Sequence, residues 1–193
     1  MKHWILALAL LPMFANAAKQ PAAATTPTAT PTVVMETSYG SVIIALDSAK
    51  APKTVANFLS YVQDGSYDGS LFHRVIPGFV VQGGGYDANF QQLATRAPVV
   101  NESRGGLSNH RGTIAMARTQ DPDSATRQFY FNLQDNLSLD ASMGAGYTVF
   151  GTVVKGQEVL DKIAMQPTGD EPRLGARDVP VEPVFIKRVT LQK

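Results

Sequence analysis

From about residue 33 onward, short apolar runs alternate with polar breaks, and the spacing of the apolar positions changes along the chain. Val33–Thr37 and Ser41–Leu46 read as strands joined by a short Ser38-Tyr39-Gly40 loop. From Ala51 the period lengthens. Val55, Phe58, Leu59 and Val62 then share one helical face, with Pro52 in the first turn and Asp64-Gly65 at the stop. Residues 72–85 return to strand character as two apolar runs around Pro77-Gly78, closed by Gly83-Gly84-Gly85. Thr113–Ala117, Gln128–Leu133 and Tyr147–Val154 are further strands. Gln157–Ala164 is a second short helix with Val159, Leu160 and Ile163 apolar, and Val184–Leu191 is a last strand. Polar connections at 86–112, 118–127 and 135–146 separate them; loops as long as the first are usually functional or disordered.

The pattern therefore predicts seven or eight short strands and two helices. Most strands are joined by loops and not by helical crossovers, which argues for an antiparallel barrel or sandwich with helices at its ends and against a doubly wound fold. Ahead of this domain (33–193) lie two segments of different character. Residues 1–17 have a basic start, an apolar run from Trp4 to Leu11 and an Ala15-Asn16-Ala17 cleavage pattern, as in a secretory signal peptide. The run is shorter than the roughly 20 residues of a membrane-spanning helix, so no membrane span is expected. Residues 18–32 are rich in Pro, Thr and Ala and read as a disordered linker.

Composition narrows the chemistry. The 193 residues carry a net charge of +1, which loss of a leader containing Lys2 would bring to zero, so no nucleic-acid partner is suggested. Without cysteine there is neither a thiol nucleophile nor a disulfide. The three histidines are His3, His73 and His110, too few and too scattered for a metal cluster, and no Gly-x-Ser-x-Gly elbow is present. The three glycines are not a phosphate loop, since no Gly-Lys-Ser/Thr follows; a tight bend is the expected use. Asn101-Glu102-Ser103 and Asn136-Leu137-Ser138 fit glycosylation triplets, which arise readily by chance.

Strand alternation points to one surface. In Gln128–Leu133, Phe129, Phe131 and Leu133 share a core face, while Gln128, Tyr130 and Asn132 share the other. The same parity groups Val80 with Gln82 and Phe72 with Arg74. His73 then points away from Arg74 and reads as a satisfied structural histidine, and His110 as a solvated one. An arginine, two glutamines and aromatics on one outer face make either a solvated surface or a binding groove. Pattern alone leaves both open.

Phe72-His73-Arg74-Val75-Ile76-Pro77-Gly78-Phe79 with Gln82-Gly83-Gly84 resembles the signature of the cyclophilin-type peptidyl-prolyl cis-trans isomerases. Gly112–Arg118, Ser124–Tyr130, Val149-Phe150-Gly151 and Val153–Gly156 resemble later family segments in the same order, so the resemblance runs from about Val33 to the C-terminus. With the leader, the chain resembles a periplasmic bacterial member. The resemblance implies a mainly β fold, a closed antiparallel eight-stranded barrel capped by two helices, and an isomerase that needs no cofactor and no metal. It implies Arg74 as the catalytic donor. Phe79 and Tyr130 would wall a proline ring, with Val80, Ala117 and Leu139 completing the apolar surface. Gln82, Arg118, Gln128 and Tyr147 would complete the substrate-binding set. Partners would be proline-containing polypeptides and unfolded exported proteins, and the protein a monomer. Val80, Tyr130, Arg118-Thr119 and Ser138 depart from the common eukaryotic pattern. Ser138 stands where a tryptophan often lies, so tight cyclosporin binding is not expected. Two other readings stand beside the enzyme. One is a module or chaperone that grips proline segments without turning them over. The other is an envelope protein tethered through the Pro/Thr segment.

Overall fold

The computed structural model describes residues 30–192. The leader and most of the linker expected at 1–32 lie outside the described residues. Ten strands form: β1 (Thr32–Thr37), β2 (Gly40–Leu46), β3 (Ser70–Ile76), β4 (Val80–Gly83), β5 (Thr113–Met116), β6 (Phe129–Asn132), β7 (Val149–Lys155), β8 (Thr168–Glu171), β9 (Ala176–Pro180) and β10 (Phe185–Leu191). The helices are α1 (Pro52–Gln63) and α2 (Gln157–Ala164). Eight strands close into an antiparallel barrel in the order β1-β10-β3-β4-β6-β5-β7-β2, as expected. Thr32 already pairs with Ala45, so the ordered domain takes in the last residue assigned to the linker.

The barrel is filled by alternate residues. Phe72, Phe129, Phe131 and Phe150 are almost wholly buried, and Phe58 and Tyr61 of α1 and Tyr67 just beyond it join them edge-on or tilted at centroid distances of 5.1–6.4 Å. Val159, Leu160 and Ile163 bring α2 into the same core. The start of α1 has no capping side chain of its own. Glu102, from the long 86–112 connection, accepts from Lys53 N–H (3.1 Å), Thr54 N–H (2.8 Å) and the Thr54 hydroxyl (2.8 Å), which satisfies donors the helix cannot.

The two apolar runs of 72–85 become β3 and β4. Phe79 N–H donates to Ile76 O at 3.0 Å and Gly78 has φ +69, so Ile76–Phe79 is a type II turn. The glycines do more than relieve a bend. Gly84 has φ +83, and a Cβ there would lie 2.8 Å from Phe129 and 2.9 Å from Tyr67; a Cβ on Gly85 would lie 2.6 Å from Gln128.

The structure corrects the parity expected for β3. Phe72 opposes Gly83 and Arg74 opposes Gln82, so His73 is an extra residue in a β-bulge. The bulge flips the alternation: Phe72 is 1% exposed inside the barrel, while Arg74 faces outward. A hairpin, β8–β9, also lies outside the sequence expectation. Its strand Thr-Gly-Asp-Glu has no apolar alternation to announce it. Arg173 beside its turn bonds Glu171 and lies 4.4 Å over the Phe90 ring.

Candidate active site

The outer face of β4, β5, β6 and β7 carries a second, smaller apolar cluster, Val80, Ala115, Tyr130 and Val149, with Phe79, Ala117, Leu139 and Tyr147 half-buried against it. These residues enclose a hollow of about 300 Å³ lined by Arg74, Phe79, Val80, Gln82, Ala117, Arg118, Tyr130, Leu139 and Tyr147. Nine of the ten residues singled out from the sequence thus meet around one cavity. The tenth, Gln128, lines an adjoining hollow of about 320 Å³ that shares Gln82, Ala117 and Arg118 with the first.

Arg74 is half-buried, and among the described residues no carboxylate pairs with it. Its one side-chain bond is long, Nη1 to Gln82 Oε1 at 3.5 Å, and Gln82 Nε2 in turn donates to Gln128 Oε1 at 3.0 Å. A guanidinium kept beside an apolar hollow with most of its donors uncommitted can donate to a ligand.

The apolar walls are held from behind by buried amides. Tyr130 donates its hydroxyl to Asn109 Oδ1 (2.8 Å), which also accepts from Asn132 Nδ2 (3.1 Å). Asn109 in turn donates from both its backbone and its side-chain nitrogen to Asp140 Oδ1, each at 2.8 Å. Asn136 Nδ2 bonds Asn132 Oδ1 (2.7 Å) and the Phe79 carbonyl (3.0 Å). Tyr130 and Phe79 are therefore fixed in one network. Burial pushes the Tyr130 phenol up, so it stays protonated and donating. Asn132, placed by alternation on the groove face, is 0% exposed and supports the groove from beneath the 107–112 and 134–139 segments without lining it. The supporting roles of Asn109 and Asn136 escaped sequence reasoning; Asn136 showed there only as part of a chance glycosylation triplet.

On the rim, the Arg118 guanidinium lies 4.2 Å over the Tyr147 ring and donates to the Gly146 carbonyl at 3.0 and 2.9 Å. Its charge is thus spent on rim architecture. Tyr147 meets Tyr130 edge-on at 5.9 Å. His73 is buried in the bulge against Tyr86 at 4.7 Å, but its Nδ1 has no partner, so it is structural without being satisfied. Burial lowers its pKa to about 4, which keeps it neutral near pH 7. His110 is exposed beside Asp135 at 3.3 Å.

A larger hollow of about 510 Å³, lined by Pro31, Leu46, Asp47 and Thr152 among others, lies elsewhere on the barrel. Its carboxylate, Asp47, already accepts from Ala49 N–H (3.1 Å) and Lys50 N–H (2.9 Å). Its lining contains no cationic side chain, only hydroxyls and that carboxylate beside the apolar residues. Among the described residues, no group of His, Cys, Asp or Glu could hold a metal ion, and no helix is long and apolar enough to cross a membrane.

Comparison with known proteins bears on this groove. The chain is 50% identical to the peptidyl-prolyl cis-trans isomerase cyp18 of Streptomyces antibioticus, over 81% of this chain and 95% of that protein. It is 48% identical to peptidyl-prolyl cis-trans isomerase B of Escherichia coli K12, over 83% of this chain and 99% of that protein. A crystal structure of a Cryptosporidium parvum cyclophilin type isomerase, determined in the presence of the dipeptide Ala-Pro, shares the fold. Its TM-score is 0.69 at 24% identity, over 84% of this chain and 99% of that one. The family model for cyclophilin type peptidyl-prolyl cis-trans isomerases matches residues 32–191, nearly all of the described domain, and the chain belongs to that family.

Proposed function

We propose that the groove speeds rotation about X-Pro peptide bonds, with the proline ring seated between Phe79 and Tyr130 and Arg74 as the catalytic donor. The observation that carries the assignment of Arg74 is its uncommitted guanidinium at the lip of the apolar hollow. An X-Pro bond resists rotation by roughly 18–20 kcal/mol because the nitrogen lone pair conjugates with the carbonyl. Its cis and trans forms differ little in energy, so catalysis has only to lower the barrier. In the twisted transition state the lone pair localises on a pyramidal nitrogen. A fixed donor near that nitrogen binds the twisted form better than the planar one, and each 1.4 kcal/mol or so of that difference is about a tenfold gain in rate. Arg74 would also hold the proline carbonyl, and Gln82, bridged to Gln128, would orient the guanidinium and the substrate backbone. No acid-base pair or cofactor enters this mechanism.

The leader pattern at 1–17 supports action outside the cytoplasm, in the periplasm, on proline-containing segments of unfolded exported proteins. Exposed Ser138 and Leu137 give the rim no indole, so cyclosporin is expected to bind weakly. The deciding experiment is magnetisation-transfer NMR on an Ala-Pro peptide. Wild-type protein should drive cis-trans exchange and Arg74→Ala should bind the peptide without driving it. Equal rates in the two proteins would remove Arg74 from the mechanism, and binding without exchange by wild type would favour a proline-binding module.

A further inference from the structure

Arg127 stands just before Gln128 in a stretch whose polarity marks it as loop, yet it is 2% exposed. Among the described residues no carboxylate pairs with it. Its guanidinium is divided among three backbone carbonyls: Nε to Gly84 at 2.6 Å, Nη1 to Ala94 at 2.9 Å and Nη2 to Ser66 at 2.5 Å. The Tyr61 and Tyr67 rings lie 5.1 and 5.4 Å from it, and Tyr67 donates its hydroxyl to the Arg127 carbonyl at 2.8 Å. A planar fork that reaches three separate segments is a geometry lysine cannot reproduce.

Two of those segments, at Gly84 and Ala94, adjoin the walls of the hollow beside the first, as does the stretch that carries Arg127; Ser66, in the connection after α1, anchors the fork from outside the lining, and Arg127 itself does not line the hollow. Gly84 follows Gln82 at the end of β4. Ala94 lies between Gln92 and Thr95. Thr126 and Gln128 flank Arg127. The Gln92–Thr95 wall is otherwise exposed and lightly held, by Leu93 N–H to Gly85 O (3.0 Å) and by Arg96 N–H to the Tyr61 hydroxyl (2.7 Å). The hollow presents the amides of Gln82, Gln92 and Gln128 and the hydroxyls of Thr95, Ser124 and Thr126, which suit uncharged polar side chains or peptide backbone. Because both hollows share Gln82, Ala117 and Arg118, a chain with its proline in the first continues over these residues into the second.

We propose that Arg127 is a positioning residue for the chain beside the proline: by tying three backbone segments to one buried guanidinium it holds the polar hollow in register with Arg74. It sets affinity for extended substrates and leaves the rotating bond alone. This rests on the groove being the isomerase site. The test compares acetyl-Ala-Pro-methylamide, which spans only the proline hollow, with an octapeptide placing the same Ala-Pro among Ser and Asn residues. Both are followed by NMR exchange. In Arg127→Lys, KM for the octapeptide should rise roughly five- to tenfold at unchanged kcat, while kcat/KM for the short amide stays within about twofold. Tyr61→Phe, which loosens the same wall by removing only the acceptor of Arg96 N–H, should shift octapeptide KM in the same direction by a smaller factor. It decides the matter by the same criterion if Arg127→Lys does not fold. Equal losses on both substrates, or an unchanged octapeptide KM, would overturn the proposal. Failure of the underlying reading looks different: Arg74→Ala would then turn over the short amide as fast as wild type.

Discussion

The two faces of the β4–β6 pair are built on opposite terms. Inside the barrel, Phe129 and Phe131 sit in an aromatic core where every ring is covered and shape decides everything. Outside, Tyr130 lies between them in sequence, yet belongs to a shallow cluster held by asparagine amides and bordered by an uncommitted guanidinium. One strand thus serves stability with two side chains and the groove with the one between. The difference teaches that the inner face tolerates no vacancy, whereas the outer face borders a guanidinium with a single long bond, the donor that the proposed function gives to a substrate.

The sharpest way to separate the faces is to cut each once. Phe131→Ala should cost about 3–5 kcal/mol in urea unfolding, as for other buried aromatics, while the fraction still folded keeps kcat/KM within a few-fold. Arg74→Ala should do the reverse. It should lower kcat/KM by about 100- to 1000-fold, as when a preorganised donor is lost, with a melting temperature close to wild type. If the two variants lose activity and stability in the same proportion, the division between faces is wrong.

The bulge that switches β3 from one face to the other has its own signature. Unfolded His73 takes up a proton near pH 6.5 and folded His73 only near 4, because burial disfavours the charged form. Between those values the unfolded state binds more protons. The contribution to stability is therefore full above about pH 6.5 and falls away as the pH drops towards 4, by up to about 3 kcal/mol. Urea midpoints measured from pH 7.5 to 4 should decline less steeply in His73→Gln than in wild type; parallel curves would remove His73 from the account. The smallest of the four effects blurs the contrast on purpose. Asn109→Ala strips the acceptor shared by Tyr130 and Asn132 and should cost about 2 kcal/mol in stability. With Tyr130 released, kcat/KM should fall roughly fivefold as the wall loses its position. Unchanged kinetics would show that Tyr130 is held by packing alone.

Alternation placed Phe129, Phe131 and Tyr130 correctly because β6 is regular. It failed at Phe72, since a one-residue bulge leaves no mark in residue types and becomes visible only through the partner strand. It failed again at Asn132, where the outer face is covered by segments that alternation does not reveal, as the bonds to Asn109 and Thr113, 23 and 19 residues away, and to nearby Asn136 show. Nine residues assigned by resemblance meet around one cavity because strands and the Ile76–Phe79 turn carry five of them, and Ala117, Arg118 and Tyr147 lie within two residues of a strand end. The adjoining hollow was hidden. Its walls come from polar loops, and the side chain that joins them, Arg127, reads in isolation as an ordinary surface charge. A buried arginine whose partners are all backbone carbonyls has no matching acid in the sequence to betray it.

The closure of the barrel sets a schedule for making the protein. β1 pairs with β10, register Val33 to Leu191, so the first strand synthesised waits for the last. β3 borders β10 on its other side, at Leu71 and Ser70. A chain that stopped short of β10, at Val184, would leave β1 and β3 as two open, unpaired edges flanking a gap, the arrangement that invites pairing with another chain. The barrel can therefore close only once β10 has been made and is free to dock, and the β1 and β3 edges must remain unpaired or shielded until then.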